Sequence, residues 1–218
     1  MGMRKKIVCL ALFFACSVTS QAQEAVVNSR IPFAQARLKE LLDENKLYIN
    51  HKGSDFFHQL SQGQQPNVTV LSCSDSRVQT NLVGESPEGD LFGIRNIGNQ
   101  IITAAGSVKY GVLHLHTPLL LIMGHSQCGA ITAANQAHEG LESSLIKELS
   151  TIRIKPDESN IDGVITNVNN QVKYAMALFH KQIKANQLLV VGAVFDFSDD
   201  MHKGAGKLNV INIQGKPA

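Results

Sequence analysis

Two short segments of this chain carry the residue types from which proteins build a metal centre. Cys73 opens the segment Cys-Ser-Asp-Ser-Arg, and the later segment Gly-His-Ser-Gln-Cys-Gly-Ala contributes His125 and Cys128. Two thiolates and an imidazole suit Zn²⁺, and three protein ligands leave its fourth tetrahedral position open for chemistry. Gly124 and Gly129 are expected to relieve crowding in the tight turn that presents His125 and Cys128 to one ion. The two segments therefore predict one catalytic zinc ion per chain, held by Cys73, His125 and Cys128.

The elements that must position these residues predict an α/β fold. A β-branched run at 67–71 ends just before Cys73, and an apolar run at 119–123 ends just before His125. Further strand patterns lie at 91–94, 188–194 and 208–213, and helical patterns at 31–48, 101–114, 130–138, 141–152 and 161–184. Strands of this kind alternating with helices are typical of a mostly parallel sheet, whose sites gather at the carboxyl ends of strands. We expect a central mostly parallel β-sheet with flanking helices and an antiparallel edge strand at 208–213.

Taken together, the motifs resemble the paired signature of the beta-class carbonic anhydrase family. The resemblance extends to the segments at 90–99, 107–111 and 191–196, and it runs from about Phe33 to Ile213. It implies reversible hydration of CO2 to bicarbonate and a proton by a zinc-bound hydroxide. Because two thiolates neutralise the formal charge of Zn²⁺, we predict a less acidic bound water than a three-histidine site gives, and better activity at alkaline pH.

The resemblance implies roles for three more residues. Asp75 and Arg77 would form a catalytic dyad, in which a bidentate salt bridge keeps the carboxylate from closing the metal. An ionised Asp75 only accepts hydrogen bonds, so it would orient a proton-bearing oxygen beside the metal. Gln64 resembles a substrate-binding glutamine whose amide donates to an oxygen of CO2 or bicarbonate, and the adjacent Gln65 leaves this register open.

The expected partners are small molecules and further copies of the chain. A formal charge of +2, with no basic stripe interleaved with aromatic residues, argues against nucleic acid. CO2 and bicarbonate are the ligands that the resemblance implies. It also implies a homodimer or a dimer-based tetramer, with the helix at 33–48 packing on a neighbour and the active site near the interface.

The first 22 residues are predicted to be a secretory signal peptide. Basic residues at 4–6 precede an apolar run at 7–18, and 20–22 offers the small residues that a signal peptidase reads. The run is short for a membrane span, although an uncleaved anchor is the alternative. Cleavage would leave one catalytic domain at 23–218, periplasmic or secreted and not membrane-bound, with two of the four cysteines.

Three other interpretations remain open. In an oxidising compartment Cys73 and Cys128 could form a structural disulfide, which would leave Asp75, Arg77 and His125 without a role. A non-catalytic periplasmic zinc-binding protein would use the same ligands but has no need of the Asp75–Arg77 pair. A hydrolase of a CO2 analogue such as carbonyl sulfide, built on the same scaffold, is not distinguished from CO2 hydration by the sequence.

Overall fold

The computed structural model describes residues 30–218. The predicted signal peptide at 1–22 and the first residues of the predicted domain lie outside this range. The chain divides into two compact units, one ending at Ser61 and the other running from Gln62 to Ala218. Every site residue predicted above belongs to the second unit. Among the helices of residues 30–218, none has the length and apolar character needed to cross a bilayer.

The second unit is built on a six-stranded mixed sheet with the strand order β2-β1-β3-β4-β5-β6. The strands are β1 Val68–Cys73, β2 Leu91–Asn96, β3 Leu119–His125, β4 Leu189–Asp196, β5 Lys207–Ile213 and β6 Lys216–Pro217. The first four are parallel to one another, whereas β5 and β6 pair antiparallel. The predicted α/β class with a mostly parallel sheet is therefore confirmed. The antiparallel strand predicted near the C-terminus is β5, and the two-residue β6 follows it at the edge.

Helices connect the strands and cover the sheet. They are α3 Ala105–Lys109, which continues as a π-helical turn at Tyr110–His114, then α4 Gly129–Ala134, α5 Ser143–Leu149, α6 Asn160–Leu178 and α7 His180–Lys184, with a short 3-10 helix at Thr80–Leu82. The single helix predicted at 161–184 is two helices. The helical path breaks at Phe179, which has φ −113° and buries its ring in the core.

The core lies on both faces of the sheet, as a doubly covered parallel sheet requires. After its first residue, each of β3 and β4 is buried along its whole length. On one face, α6 packs against β3 and β4 through a buried valine stripe formed by Val164, Val168 and Val172. A smaller cluster that includes Val70, Met123 and Phe195 fills the other face. These layers hold the carboxyl ends of the strands in fixed positions.

The first unit contains the helices α1 Arg30–Lys52 and α2 Ser54–Ser61. The predicted helix at 31–48 is confirmed as part of α1, whereas α2 was not predicted. The rings of Tyr48, Phe56 and Phe57 contact one another edge to face and join the two helices. None of the residues of α1 is buried. Its exposed large apolar side chains are Ile31, Phe33, Leu38, Leu41, Leu42, Leu47 and Ile49.

Candidate metal centre

The three predicted metal ligands meet at one end of the sheet. Cys73 is the last residue of β1 and His125 is the last residue of β3, and these strands are parallel neighbours. Cys128 follows three residues after His125. The two sulfur atoms and a ring nitrogen of His125 all lie within 4.8 Å of one another, and all three residues are buried. This convergence is the one that a single tetrahedral cation needs.

The turn between His125 and Cys128 works differently from the prediction. Its unusual backbone conformation falls on Gln127, with φ 54°, and not on a glycine. Gly124 is needed for another reason: a Cβ there would lie 2.7 Å from Val168 Cγ2 and 2.9 Å from Val164 Cγ1. At Gly129 a Cβ would meet no atom within 4 Å. The predicted relief of crowding in the turn was therefore wrong, because Gly124 instead permits the close approach of α6 to β3.

His125 has the tautomer and the burial that a metal ligand requires. Its Nδ1 lies 2.9 Å from the backbone oxygen of Ser126. A carbonyl can only accept, so Nδ1 carries the proton and Nε2 presents its lone pair. Nε2 is fully buried and, among the residues from 30 onward, has no hydrogen-bond partner. An orphaned buried acceptor beside two thiols fits a metal ion at this point.

The two cysteines are free and share their electrostatic environment. Donation from the Cys128 thiol lowers the pKa of Cys73 against the opposing effect of burial, and the backbone N–H groups of Gly98 and Asp75 add to the shift. The pKa of Cys128 is raised, because its proton is held by Cys73 and because it is buried. One thiolate is therefore favoured at this site, and binding of a cation would release the shared proton.

Asp75 and Arg77 form the predicted pair beside the cluster. The guanidinium of Arg77 donates from Nε to Asp75 Oδ1 at 2.9 Å and from Nη2 to Oδ2 at 2.7 Å. Arg77 also donates to the backbone oxygen of Gln127 at 3.1 Å, and its guanidinium lies 4.6 Å from the ring centre of Phe197. Hydrogen bonds from Arg77 hold the pKa of Asp75 well below its usual range. The ionised carboxylate has Oδ2 3.9 Å from Nε2 of His125.

Arg95 fixes the backbone that carries Cys73 and Asp75, and the sequence interpretation did not identify it. Its Nε donates to the carbonyl of Cys73 at 3.2 Å, and its Nη2 donates to the carbonyl of Asp75 at 2.7 Å. Arg95 lies on β2 and pairs in register with Ser72 of β1. An arginine inside a short apolar strand is the signal from which this role could have been suspected.

A second group of positioning residues is a buried amide network behind Gly98, the residue whose N–H reaches Cys73. The side chains of Gln100 and Asn167 both donate to the carbonyl of Gly98, at 2.5 and 3.0 Å. Gln171 accepts from the backbone N–H of Ile101 at 2.9 Å and donates to Gln100. Asn167 and Gln171 interrupt the valine stripe of α6 at a spacing of one helical turn, which is the sequence signal that was missed.

Gln64 does not join the other predicted site residues within one chain. It precedes β1 and borders a surface cavity together with Asn67, His114 and Pro118, at the amino ends of β1 and β3. Cys73 stands at the opposite end of β1. At about 3.3 Å per residue, a six-residue strand separates the two ends by roughly 20 Å, which is beyond the reach of a glutamine side chain.

Comparisons with known proteins agree with the geometry of this centre. A sequence profile described as carbonic anhydrase matches residues 68–202. Carbonic anhydrase 2 of Mycobacterium tuberculosis is 34% identical over 106 residues, which cover 45% of this chain and 51% of that protein. The carbonic anhydrase of Synechocystis sp. is 44% identical over 85 residues, which cover 35% of this chain and 31% of that protein.

The fold has a similar counterpart among solved structures. A tetrameric beta-carbonic anhydrase from the filamentous ascomycete Sordaria macrospora superposes with a TM-score of 0.69 and 26% identity, covering 81% of this chain and 98% of that one. The chain matches about half the length of the Mycobacterium relative and about a third of the Synechocystis relative. Because the profile spans more than half of the 218 residues and the structural similarity extends further, the chain belongs to the carbonic anhydrase family, in its beta class.

Proposed function

We propose that this protein catalyses the zinc-dependent, reversible hydration of CO2 to bicarbonate and a proton. The observation that carries the proposal is the convergence of Cys73, His125 and Cys128 within 4.8 Å, beside the ionised Asp75. Three protein ligands leave a tetrahedral ion one position for chemistry, as in catalytic zinc sites. A zinc ion held there would supply an acidified water as the nucleophile near neutral pH.

Asp75 and Arg77 carry the catalytic roles of the protein itself in this proposal. Both oxygens of Asp75 are held by Arg77, so the carboxylate is kept from taking the open position on the metal. Asp75 carries no proton and can only accept a hydrogen bond. It would therefore favour the orientation in which the nucleophilic water directs a hydrogen towards the carboxylate. A lone pair on the oxygen of this water would then face the carbon of CO2. A zinc-storage site has no use for this arrangement.

Gln64 is proposed to serve the metal centre of a second copy of the chain. It lies at the amino end of β1, so it cannot reach the cluster at the carboxyl end of the same strand. The exposed apolar side chains of α1 favour an assembly that covers them. The counterpart from Sordaria macrospora is described as tetrameric. We therefore propose a homodimer or a dimer-based tetramer in which Gln64 binds CO2 or bicarbonate across an interface.

The test is stopped-flow CO2 hydration across pH, with zinc quantified in the same sample and carbonyl sulfide assayed in parallel. We expect about one zinc per chain, hydration that rises towards alkaline pH, and a large loss of activity in Asp75→Asn with zinc retained. Zinc without hydration would identify a zinc-binding protein. Turnover of carbonyl sulfide alone would identify a hydrolase of that analogue. A thiol titration that finds Cys73 and Cys128 oxidised in the active protein would contradict the metal site.

A further inference from the structure

The side chain of Asn160 holds both backbone polar groups of Cys128. The backbone N–H of Cys128 donates to Asn160 Oδ1 at 3.0 Å, and Asn160 Nδ2 donates to the carbonyl of Cys128 at 2.9 Å. The same Nδ2 also donates to Thr132 Oγ1 at 2.9 Å. A single half-buried amide therefore fixes the peptide groups on each side of one of the three ligand residues.

Only an amide of this length satisfies both groups of Cys128. It supplies an acceptor to the N–H and a donor to the C=O from two atoms of one planar group. Aspartate has the same shape and keeps the acceptor, but it has no N–H for the carbonyl of Cys128 or for Thr132. Alanine removes both interactions. Aspartate and alanine both lose the donors, only alanine also loses the shape of the side chain, and only aspartate adds a negative charge.

Asn160 is itself anchored by the start of α6. Ser159 caps the helix: its Oγ accepts from the backbone N–H of Asp162 at 3.2 Å and donates to the carboxylate of Asp162 at 2.6 Å. The following turns of α6 bury Val164 and Val168 against β3 and β4. Asn160 therefore couples Cys128 to a rigid helix that is docked on the core of the sheet.

Cys128 needs such an anchor because it lies between two conformational changes of the chain. Gln127 before it is left-handed, with φ 54°, and α4 begins directly after it at Gly129. Cys128 itself is extended, with φ −72° and ψ 116°. The direction of its Cα–Cβ bond, and hence the position of Sγ, follows from the orientation of its two peptide groups. Those are the groups that Asn160 holds.

We propose that Asn160 is a positioning residue that sets the sulfur of Cys128 for metal binding, an inference that rests on the zinc site proposed above. Removal of partners that orient metal ligands typically costs about 10- to 100-fold in metal affinity. We expect Asn160→Asp and Asn160→Ala each to raise the Kd for Zn²⁺ by a factor in that range. In the Co²⁺-substituted protein, the thiolate-to-cobalt charge-transfer band should shift or weaken.

Asn160→Asp is the decisive variant, because aspartate in the first turn of a helix is favourable to the helix dipole. The metal-free Asn160→Asp protein should therefore remain folded and show a cooperative unfolding transition, while its zinc affinity falls. This holds even if Asn160→Ala does not fold. Asn170→Ala is the matched control: Asn170 also lies on α6 and donates to a backbone carbonyl of a preceding segment, that of Arg153 at 2.6 Å. It should leave the Kd for Zn²⁺ and the cobalt spectrum as in the wild type.

The outcomes separate this inference from the proposed function. Zinc affinity is measured by competition with a chromophoric chelator on wild type, Asn160→Asp, Asn160→Ala and Asn170→Ala. Wild-type affinity and an unchanged cobalt spectrum in Asn160→Asp would overturn the role of Asn160 alone. An equal loss of affinity in Asn170→Ala would also overturn it, since the effect would then belong to the helix and not to the amide. A wild-type protein that binds no zinc would instead refute the metal site itself.

Discussion

At the residue scale, a single hydrogen bond sets the tautomer in which His125 can bind a metal. Its Nδ1 donates to the carbonyl of the next residue, so the free lone pair is on the buried Nε2. The types of the ligands could be read from the sequence, because Cys and His have few other uses at this spacing. The tautomer could not be read, because it depends on where a backbone oxygen lies in space.

The pH dependence of stability should reveal the Asp75–Arg77 pair. Hydrogen bonds from Arg77 depress the pKa of Asp75 in the folded state, while its value in the unfolded chain is about 3.9. The pair therefore stabilises the fold above about pH 4, and this contribution is lost as pH falls towards the folded-state pKa. We expect metal-free Asp75→Asn to unfold at a lower urea concentration than wild type at pH 7, with the difference shrinking below pH 4.

Urea titrations of metal-free protein from pH 7 to pH 3 check this expectation. The matched control is Asp157→Asn, at an exposed aspartate with φ 63°, a conformation that asparagine also tolerates. It should follow the wild-type profile. A difference between wild type and Asp75→Asn that stays constant across this range would show that the carboxylate contributes nothing through its ionisation.

At the element scale, the site depends on how α6 docks against the sheet. The sequence predicted a helix in this region from its apolar spacing, and it also predicted the strand that ends at His125. Neither pattern indicated that Asn167 and Gln171 on the buried face of α6 hold the loop around Gly98. Hydrogen bonds between segments that are distant in sequence leave no periodicity, so only the packed structure reveals them.

Gly124→Ala tests the contact between α6 and β3. The added Cβ would meet γ-methyl groups of Val164 and Val168 at 2.9 and 2.7 Å, and β-branched side chains have little freedom to move aside. Overpacking of this kind costs about 1–3 kcal/mol in the free energy of unfolding. Chemical denaturation of the metal-free protein measures the loss.

Gly129→Ala provides the matched control for that substitution. A Cβ at Gly129 meets no atom within 4 Å, and the residue begins α4. Because alanine favours a helix over glycine, we expect the free energy of unfolding to stay the same or rise by up to about 1 kcal/mol. Equal destabilisation by the two alanines would mean that the close approach of α6 is not what requires Gly124.

At the scale of the whole molecule, the predicted site residues fall at opposite ends of the sheet. Cys73, His125 and Cys128 lie at the carboxyl ends of the parallel strands, and Gln64 lies at the amino end of β1. A complete site thus needs two chains if Gln64 takes part in it. This distinction is invisible in the linear sequence, where Gln64 precedes Cys73 by nine residues.

Subunit complementation tests the role of Gln64 in a second chain. Gln64→Ala and Cys73→Ala should each be weak or inactive as homodimers. Co-expressed, they should recover about a quarter of the wild-type activity, because random pairing makes half of the dimers mixed and each mixed dimer has one complete site of two. The measurement is CO2 hydration per chain on the co-purified mixture. Activity no higher than the mean of the two separate variants would mean that Gln64 does not act across the interface.

Export is a prediction about residues 1–22, which lie outside the described part of the chain. We propose that the basic start and short apolar run direct the protein to the periplasm or the medium, with cleavage near residue 22. Cell fractionation followed by N-terminal sequencing of the purified protein is the measurement. A mature protein that begins at Met1 and stays with the cytoplasmic fraction would contradict the proposal.

The sequence by itself determined the ligand types and the α/β class, because these follow from residue chemistry and from apolar runs that are local along the chain. The Asp75–Arg77 pair was predicted from the resemblance of its motif to the family. The convergence of Cys73 and Cys128 on the same point as His125 was predicted from the motifs, and the tertiary structure shows it. Only the tertiary structure decided that Gln64 lies at the opposite edge. The physical reason is that strand order and helix docking are set by packing between distant segments, and that packing determines which side chains share a site.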